Sequence, residues 1–224
     1  MKALAVDLAV SKLTVAAKND DYTVTAVYNI GMKQSETLVP AIDYVLTKAG
    51  LKKNELDYLA ITSGPGSFTG LRLAFAALKA IEMAFNIPLY GISSLDCYAE
   101  HYRKLPFTVV SCIDAKKDKF YAKAYEDEQL LFDEGDYEIS EIAGKISSAK
   151  KDILICGSDT EILKEQLKDK ISGKNIFTVD FSVNTAEQLF LIAEKMQAEG
   201  KEPLNDYDGP VYLRASEAEV KHNS

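Results

Sequence analysis

A chain of 224 residues with a net charge of −8, 47% hydrophobic and 27% charged residues, fits one large or two modest soluble domains. The acidic balance argues against the chain gripping nucleic acid alone, and no apolar run suggests a membrane span. Asp7 arrives too early for a signal peptide, so the cytoplasm is the expected compartment.

In chain order, residues 3–9 read as a mostly buried first strand, Leu13 to Ala17 as a second and Tyr22 to Ile30 as a third. Tight turns at Val10-Ser11-Lys12 and Asn19-Asp20-Asp21 join them. Three consecutive strands predict an antiparallel meander, unlike the strand–helix opening of a Rossmann domain. From Ser35 to Ala49 the apolar period becomes helical, with Ser35 the expected N-cap and Gly50 the residue beyond the helix. Leu56 to Thr62 is the next strand. It runs into Ser63-Gly64-Pro65-Gly66-Ser67-Phe68-Thr69-Gly70, which opens a helix ending near Phe85. Ile87 to Ile92 follows as a strand, and Ser94 caps a helix to about Arg103.

A second run begins near Pro106, with strands at Phe107–Ile113 and Lys119–Tyr125 and a short third at Leu130–Phe132. Helices are predicted over Ser140–Ser147, Ser158–Asp169 and Thr185–Glu199, separated by strands Ile153–Cys156 and Ile176–Val179. Two consecutive βββαβαβα-like units predict an α/β protein with a duplicated actin-like or sugar-kinase-like ATPase (ASKHA) fold. The expected lobes are 1–104 and a smaller 105–224.

A strand, a glycine turn and a helix can aim backbone N–H groups at an anion. Here the turn lacks the lysine of a Walker A loop, departs from the dinucleotide spacing and loses one amide at Pro65. A structural turn shaped by Gly64, Gly66, Ser67 and Gly70 is the favoured reading. Ser67 or Thr69 then caps the helix and Phe68 staples the loop to the core. Cys97, Cys112 and Cys156 form no Cys-x-x-Cys pair and read as buried thiols. With His101 and His222 the only histidines, neither a histidine-rich metal site nor a serine–histidine triad is expected.

Four stretches together resemble the TsaB (YeaZ) family: Leu4-Ala5-Val6-Asp7-Leu8-Ala9, Gly64 to Arg72, Ile113-Asp114-Ala115-Lys116 and Pro210-Val211-Tyr212-Leu213-Arg214. The resemblance implies a role in making threonylcarbamoyladenosine in tRNA, next to the anticodon. It implies a non-catalytic scaffold that binds and activates the paralogous transferase TsaD, with the ATPase TsaE completing the assembly and a homodimer forming in isolation. It also implies that ATP or ADP belongs to the partner interface or the complex, with none held tightly by this chain. The His-x-x-x-His metal pair of TsaD-type enzymes falls here on Ser94 and Tyr98.

A working nucleotide cleft needs glycines where amides approach phosphates and carboxylates for a metal. The turns after Asp7 and Asp114 have no glycine, and the later strand–helix turn has only Gly157. A tight phosphate site is therefore not expected, and Asp7, Asp114 and Gly157 are where one would lie. The competing readings are an active ATPase or small-molecule kinase using Asp7 and Asp114, and a peptidase. The helix after Gly70 is apolar around most of its circumference, which calls for neighbours on two sides. Leu38, Ile42, Val45, Leu73, Ala76, Ala77, Ala80 and Ala84 are the expected partner-binding residues; the bland alternative is that both helices pack only on each other and the sheet. Lys116, Lys117, Lys119 and Lys123 read as a solvated hairpin or a minor contact to tRNA phosphates.

Overall fold

The computed structural model describes residues 1–179 and 185–214; His222 lies outside them. Among the described residues there are ten strands and six α-helices, in two compact units: residues 1–94 with 185–211, and residues 95–179 with 212–214.

In the first unit, β1 (Lys2–Asp7), β2 (Lys12–Asn19) and β3 (Tyr22–Asn29) form the antiparallel meander. After α1 (Gln34–Ala49), β4 (Tyr58–Gly64) pairs parallel to β1; after α2 (Phe68–Phe85), β5 (Leu89–Ser93) pairs parallel to β4. The sheet order is β3-β2-β1-β4-β5. The central strands β1 and β4 are nearly unbroken apolar runs because both their faces are covered. Strand alternation decides what covers each face. Leu4, Val6, Leu59 and Ile61 lie in one core with Leu38, Ile42 and Val45 of α1 and Ala74, Phe75 and Leu78 of α2. Tyr58 points the other way, its ring edge-on to Phe190 of the last helix, α6 (Ala186–Ala198). Tyr58 donates to Glu194 Oε1 at 2.8 Å, and Lys18 Nζ reaches the same oxygen at 2.5 Å.

The second unit repeats the scheme after the short α3 (Ser94–Ala99), which ends about a turn before the expected Arg103. Here β6 (Thr108–Lys116), β7 (Lys119–Glu126) and β8 (Gln129–Glu138) are antiparallel. Parallel strands β9 (Ile153–Gly157) and β10 (Ile176–Thr178) extend the sheet on the other side, giving the order β10-β9-β6-β7-β8. Helices α4 (Ile139–Ser147) and α5 (Thr160–Leu167) supply Ile142, Ile146, Leu163 and Leu167 to its core.

Three expectations are corrected. The cut at 104/105 does not separate the units, because α6 returns to the first sheet. Its buried stripe of Ala186, Leu189, Phe190 and Ala193 covers the face that α1 and α2 leave bare. Ser35 does not cap α1, which starts at Gln34 with no side-chain cap at Lys33. β8 runs well past Phe132, to Glu138: as an edge strand it accepts charged residues, with Asp133 exposed and Asp136 paired with Arg214 at 2.8 Å. Gly50 closes α1 at φ 69°, and Cys97, Cys112 and Cys156 are buried, both as expected.

Candidate functional site

Two places need weighing: the ends of the central strands, where a nucleotide fold does its chemistry, and the outer surface of α1 and α2. At the strand ends of the first unit, β4 finishes at Gly64 and a cis Gly64–Pro65 bond leads into the loop. Ser67 is the N-cap of α2, its hydroxyl accepting from the Gly70 amide at 3.2 Å. The Ser67 amide donates to Ala9 O at 2.6 Å. The loop is wedged against backbone: a methyl on Gly66 would lie 2.3 Å from Ala9 O, and one on Gly70 2.3 Å from Leu8 O. Val211 closes over the strand end, its amide donating to Ser63 O at 2.7 Å. An anion cradle needs open amides in a concave loop. Here the concavity holds the chain's own backbone and the amides of Ser67 and Gly70 are engaged, so these residues do not fit a phosphate.

Asp7 is 2% exposed and fully bonded. Its Oδ1 accepts from the Ala9 amide at 3.0 Å and the Thr62 hydroxyl at 2.9 Å, and its Oδ2 from the Thr185 hydroxyl at 2.8 Å. Burial pushes its pKa up, and the three donors oppose that. Asp114 is bonded to its own hairpin: Oδ1 accepts from the Lys116 amide at 2.7 Å and Oδ2 from the Lys116 ammonium at 2.5 Å. Partial burial works to raise its pKa, but the Lys116 contacts win and hold it below the ordinary carboxylate value. Gly157 has φ 121° and a Cβ there would lie 2.0 Å from Cys112 O, so it serves strand packing. Ser94 and Tyr98 are buried at 0% and 4% exposure. Among the described residues, no group of three or more His, Cys, Asp or Glu side chains converges to hold a metal ion.

The lysine patch is largely paired. Lys116 meets Asp114, Lys119 lies 3.6 Å from Glu138, and Lys123, only 9% exposed, bridges Asp96 at 3.0 Å and Asp133 at 3.4 Å. A phosphate would have to compete with these carboxylates. Phe68 does not staple the loop to the core; it is half-buried, with the Arg72 guanidinium 3.8 Å over its ring.

The helix pair divides the expected partner-binding residues in two. Leu38, Ile42 and Val45 are 0–2% exposed and belong to the core under α1, and Leu73 and Ala77 lean partly on that core. The first three are therefore covered within this unit, contrary to expectation, whereas Leu73 and Ala77 keep part of their surface exposed. Ala76, Ala80 and Ala84 do face water. Beside them on α2 stand Met83, 77% exposed, and Phe85; on α1 stand Val39, 56% exposed, and Tyr44. None of these four is among the expected partner-binding residues, although Val39 and Tyr44 belong to the broad apolar arc read on residues 35–49. Val39 and Met83 fall next to buried positions in a broad apolar arc, and periodicity alone does not say which side of such an arc meets the sheet.

The chain matches, over residues 31–222, the family model described as TsaD, tRNA N6-adenosine threonylcarbamoyltransferase. It is 26% identical to the tRNA threonylcarbamoyladenosine biosynthesis protein TsaB of Bacillus subtilis (strain 168), covering 99% of this chain and 97% of that protein. It is 28% identical to the protein of the same name from Escherichia coli (strain K12), covering 96% and 95%. Its fold resembles YeaZ from Pseudomonas aeruginosa at a TM-score of 0.80 with 22% identity, over 95% of this chain and 99% of that one. A putative N-acetylmannosamine kinase from Listeria monocytogenes shares the fold more distantly, at a TM-score of 0.51 with 11% identity, over 89% and 100%. The two meander-plus-crossover sheets are thus a duplicated ASKHA-like α/β fold, and the chain belongs to the TsaD family and, within it, to the TsaB (YeaZ) group.

Proposed function

We propose that this chain works in tRNA threonylcarbamoyladenosine biosynthesis as a non-catalytic subunit that docks on the TsaD-type transferase through the outer face of α1 and α2. The observation that carries this reading is the exposed apolar surface on a helix pair whose inner side is already packed: Val39 and Tyr44 on α1, Ala76, Ala80, Met83 and Ala84 on α2. Alanines let a partner helix approach closely, while Met83 and Val39 supply apolar contact area. The internal bonding of Asp7 and Asp114 supports a subunit that does no chemistry of its own and speaks against the ATPase or kinase reading. In this reading ATP or ADP and the ATPase TsaE belong to the assembled complex, and the same helix pair mediates a homodimer when the transferase is absent.

The test is an arginine at Ala80, which is exposed; Ala77 is half-buried, so a change there would also test folding. Burying an unpaired guanidinium in a helix–helix contact costs several kcal/mol, so Ala80→Arg is expected to weaken binding to the purified transferase by at least about a hundredfold. Reconstituted threonylcarbamoylation of tRNA should fall with it. Unchanged affinity for the variant, or full modification activity without this chain, would overturn the proposal.

A further inference from the structure

We infer that the turn Asn205–Asp208 is an aromatic anchor of the docking face, with Tyr207 inserting into a partner pocket rimmed by arginine or lysine. The inference rests on the α1–α2 docking reading above.

Tyr207 is fully exposed, yet the turn that carries it is built. The Asn205 amide donates to Asp208 Oδ2 at 2.7 Å, the Asn205 side-chain amide donates to the same oxygen at 3.0 Å, and the Asp208 amide donates to Asn205 O at 3.0 Å. The approach is fixed at Leu204, whose amide donates to Leu89 O at 2.8 Å and whose side chain lies over Gly91. The exit is fixed by the Val211–Ser63 bond. A sideways tie holds the turn to α2: the Lys79 ammonium donates to Asn205 O at 2.5 Å and pairs with Glu82 at 2.8 Å. Lys79 lies three residues from Ala76 and four from Met83, on one strip of the helix, so the turn borders the exposed face.

A lone exposed apolar residue is ordinary. A rigid turn tied to a candidate docking helix is a different case. Tyr207 adds no packing to the fold, and its backbone is already ordered, so little entropy opposes its burial by a partner. Tyrosines of this kind, rigid and amphipathic, dominate interface hot spots. The surroundings name the pocket's chemistry. Glu202, Asp206 and Asp208 lie within five residues of Tyr207 along a chain of net charge −8. A cationic rim would pair with the carboxylates and sit against the ring, and would make association salt-dependent.

The experiment measures affinity of the full chain for the purified transferase by calorimetry, at low and moderate salt, for wild type, Tyr207→Ala, Tyr207→Phe and Ala80→Arg. Tyr207→Ala is expected to weaken binding at least tenfold, with thermal unfolding unchanged because the side chain buries nothing. Tyr207→Phe keeps most of the affinity, and wild-type affinity falls as salt rises. If Ala80→Arg abolishes binding while Tyr207→Ala stays within about twofold of wild type, the anchor is refuted and the docking face stands. If both bind as wild type, both are refuted. Affinity indifferent to salt removes the cationic rim.

Discussion

Gly66→Ala tests whether the glycine loop is a packed connector or a ligand cradle. The added methyl would stand 2.3 Å from Ala9 O and 2.9 Å from its carbonyl carbon and Cα. Comfortable carbon contacts lie near 3.5 Å, so something must move by roughly an ångström. The obstructing atoms are backbone in the turn between β1 and β2, where the Ala9 amide is tied to Asp7 and Ala9 O accepts from Ser67. Overpacking of this kind costs about 1–3 kcal/mol, and loosening the Ser67–Ala9 bond adds about 1 kcal/mol. A loss of roughly 2–4 kcal/mol lowers Tm by roughly 4–16 °C in a chain of this size. The assay is thermal unfolding of the isolated chain by calorimetry or circular dichroism, without ligand. A ligand loop predicts the opposite pattern, an unchanged melt and an altered response to nucleotide. A variant melting within about 1 °C of wild type would refute the close-packing argument.

The same substitution has the reverse sign elsewhere. Gly144 is exposed within α4 and an added methyl would meet nothing within 4 Å, so Gly144→Ala gains about 0.8–1 kcal/mol of helix propensity and raises the melting temperature by a few degrees; a lower melting temperature contradicts it. For Asp7, burial raises the folded pKa above the unfolded one. Its contribution to stability is therefore complete below the unfolded value and is lost as pH rises through the folded value. Asp7→Asn removes that loss, so its melting temperature relative to wild type should climb as pH rises above the unfolded value of about 4; a difference that stays flat at every pH above about 4 refutes the assignment.

Strand and helix order was legible because each element carries its own period, and the chain was read correctly wherever burial follows alternation. Ser67 as the cap of α2 and Gly50 beyond α1 were local signals that held, while the equally local signal of Ser35 as the cap of α1 did not. What failed depends on the third dimension. Nothing in Ala186 to Ala198 says which of two sheets its stripe will cover, since the answer lies in the bare back of β1 and β4, far away in sequence. On α2, alanine lies both on the sheet side and on the water side. Only the bulk of Leu71, Phe75 and Leu78 distinguishes the inner face, because large side chains repay burial and alanine is nearly indifferent. Tyr207 had no signal at all. A loop residue has no period, and its exposure is set by the Asn205–Asp208 bonds and the reach of Lys79.

The two units, each taken by itself, show what duplication kept and what it changed. Gly64 ends β4 at φ 122° and Gly157 ends β9 at φ 121°, each on a strand parallel to the first strand of its own meander. A left-handed turn at the same sheet position is backbone geometry, and it is the same in both. The carboxylates at the ends of those first strands differ. Asp7 is closed by Ala9, Thr62 and Thr185, whereas Asp114 is closed by the hairpin lysine beside it. Two unrelated sets of donors reach the same result, carboxylate oxygens engaged within the chain. Freeing one of them would not open the loop: Thr185→Val would release Asp7 Oδ2, yet Ala9 O would still fill the space that Gly66 and Ser67 leave. The constraint that keeps Gly66 a glycine is thus contact with its own protein. The loop is spent on that contact, while the outward side of the helix it launches, with Ala76, Ala80 and Met83, faces water.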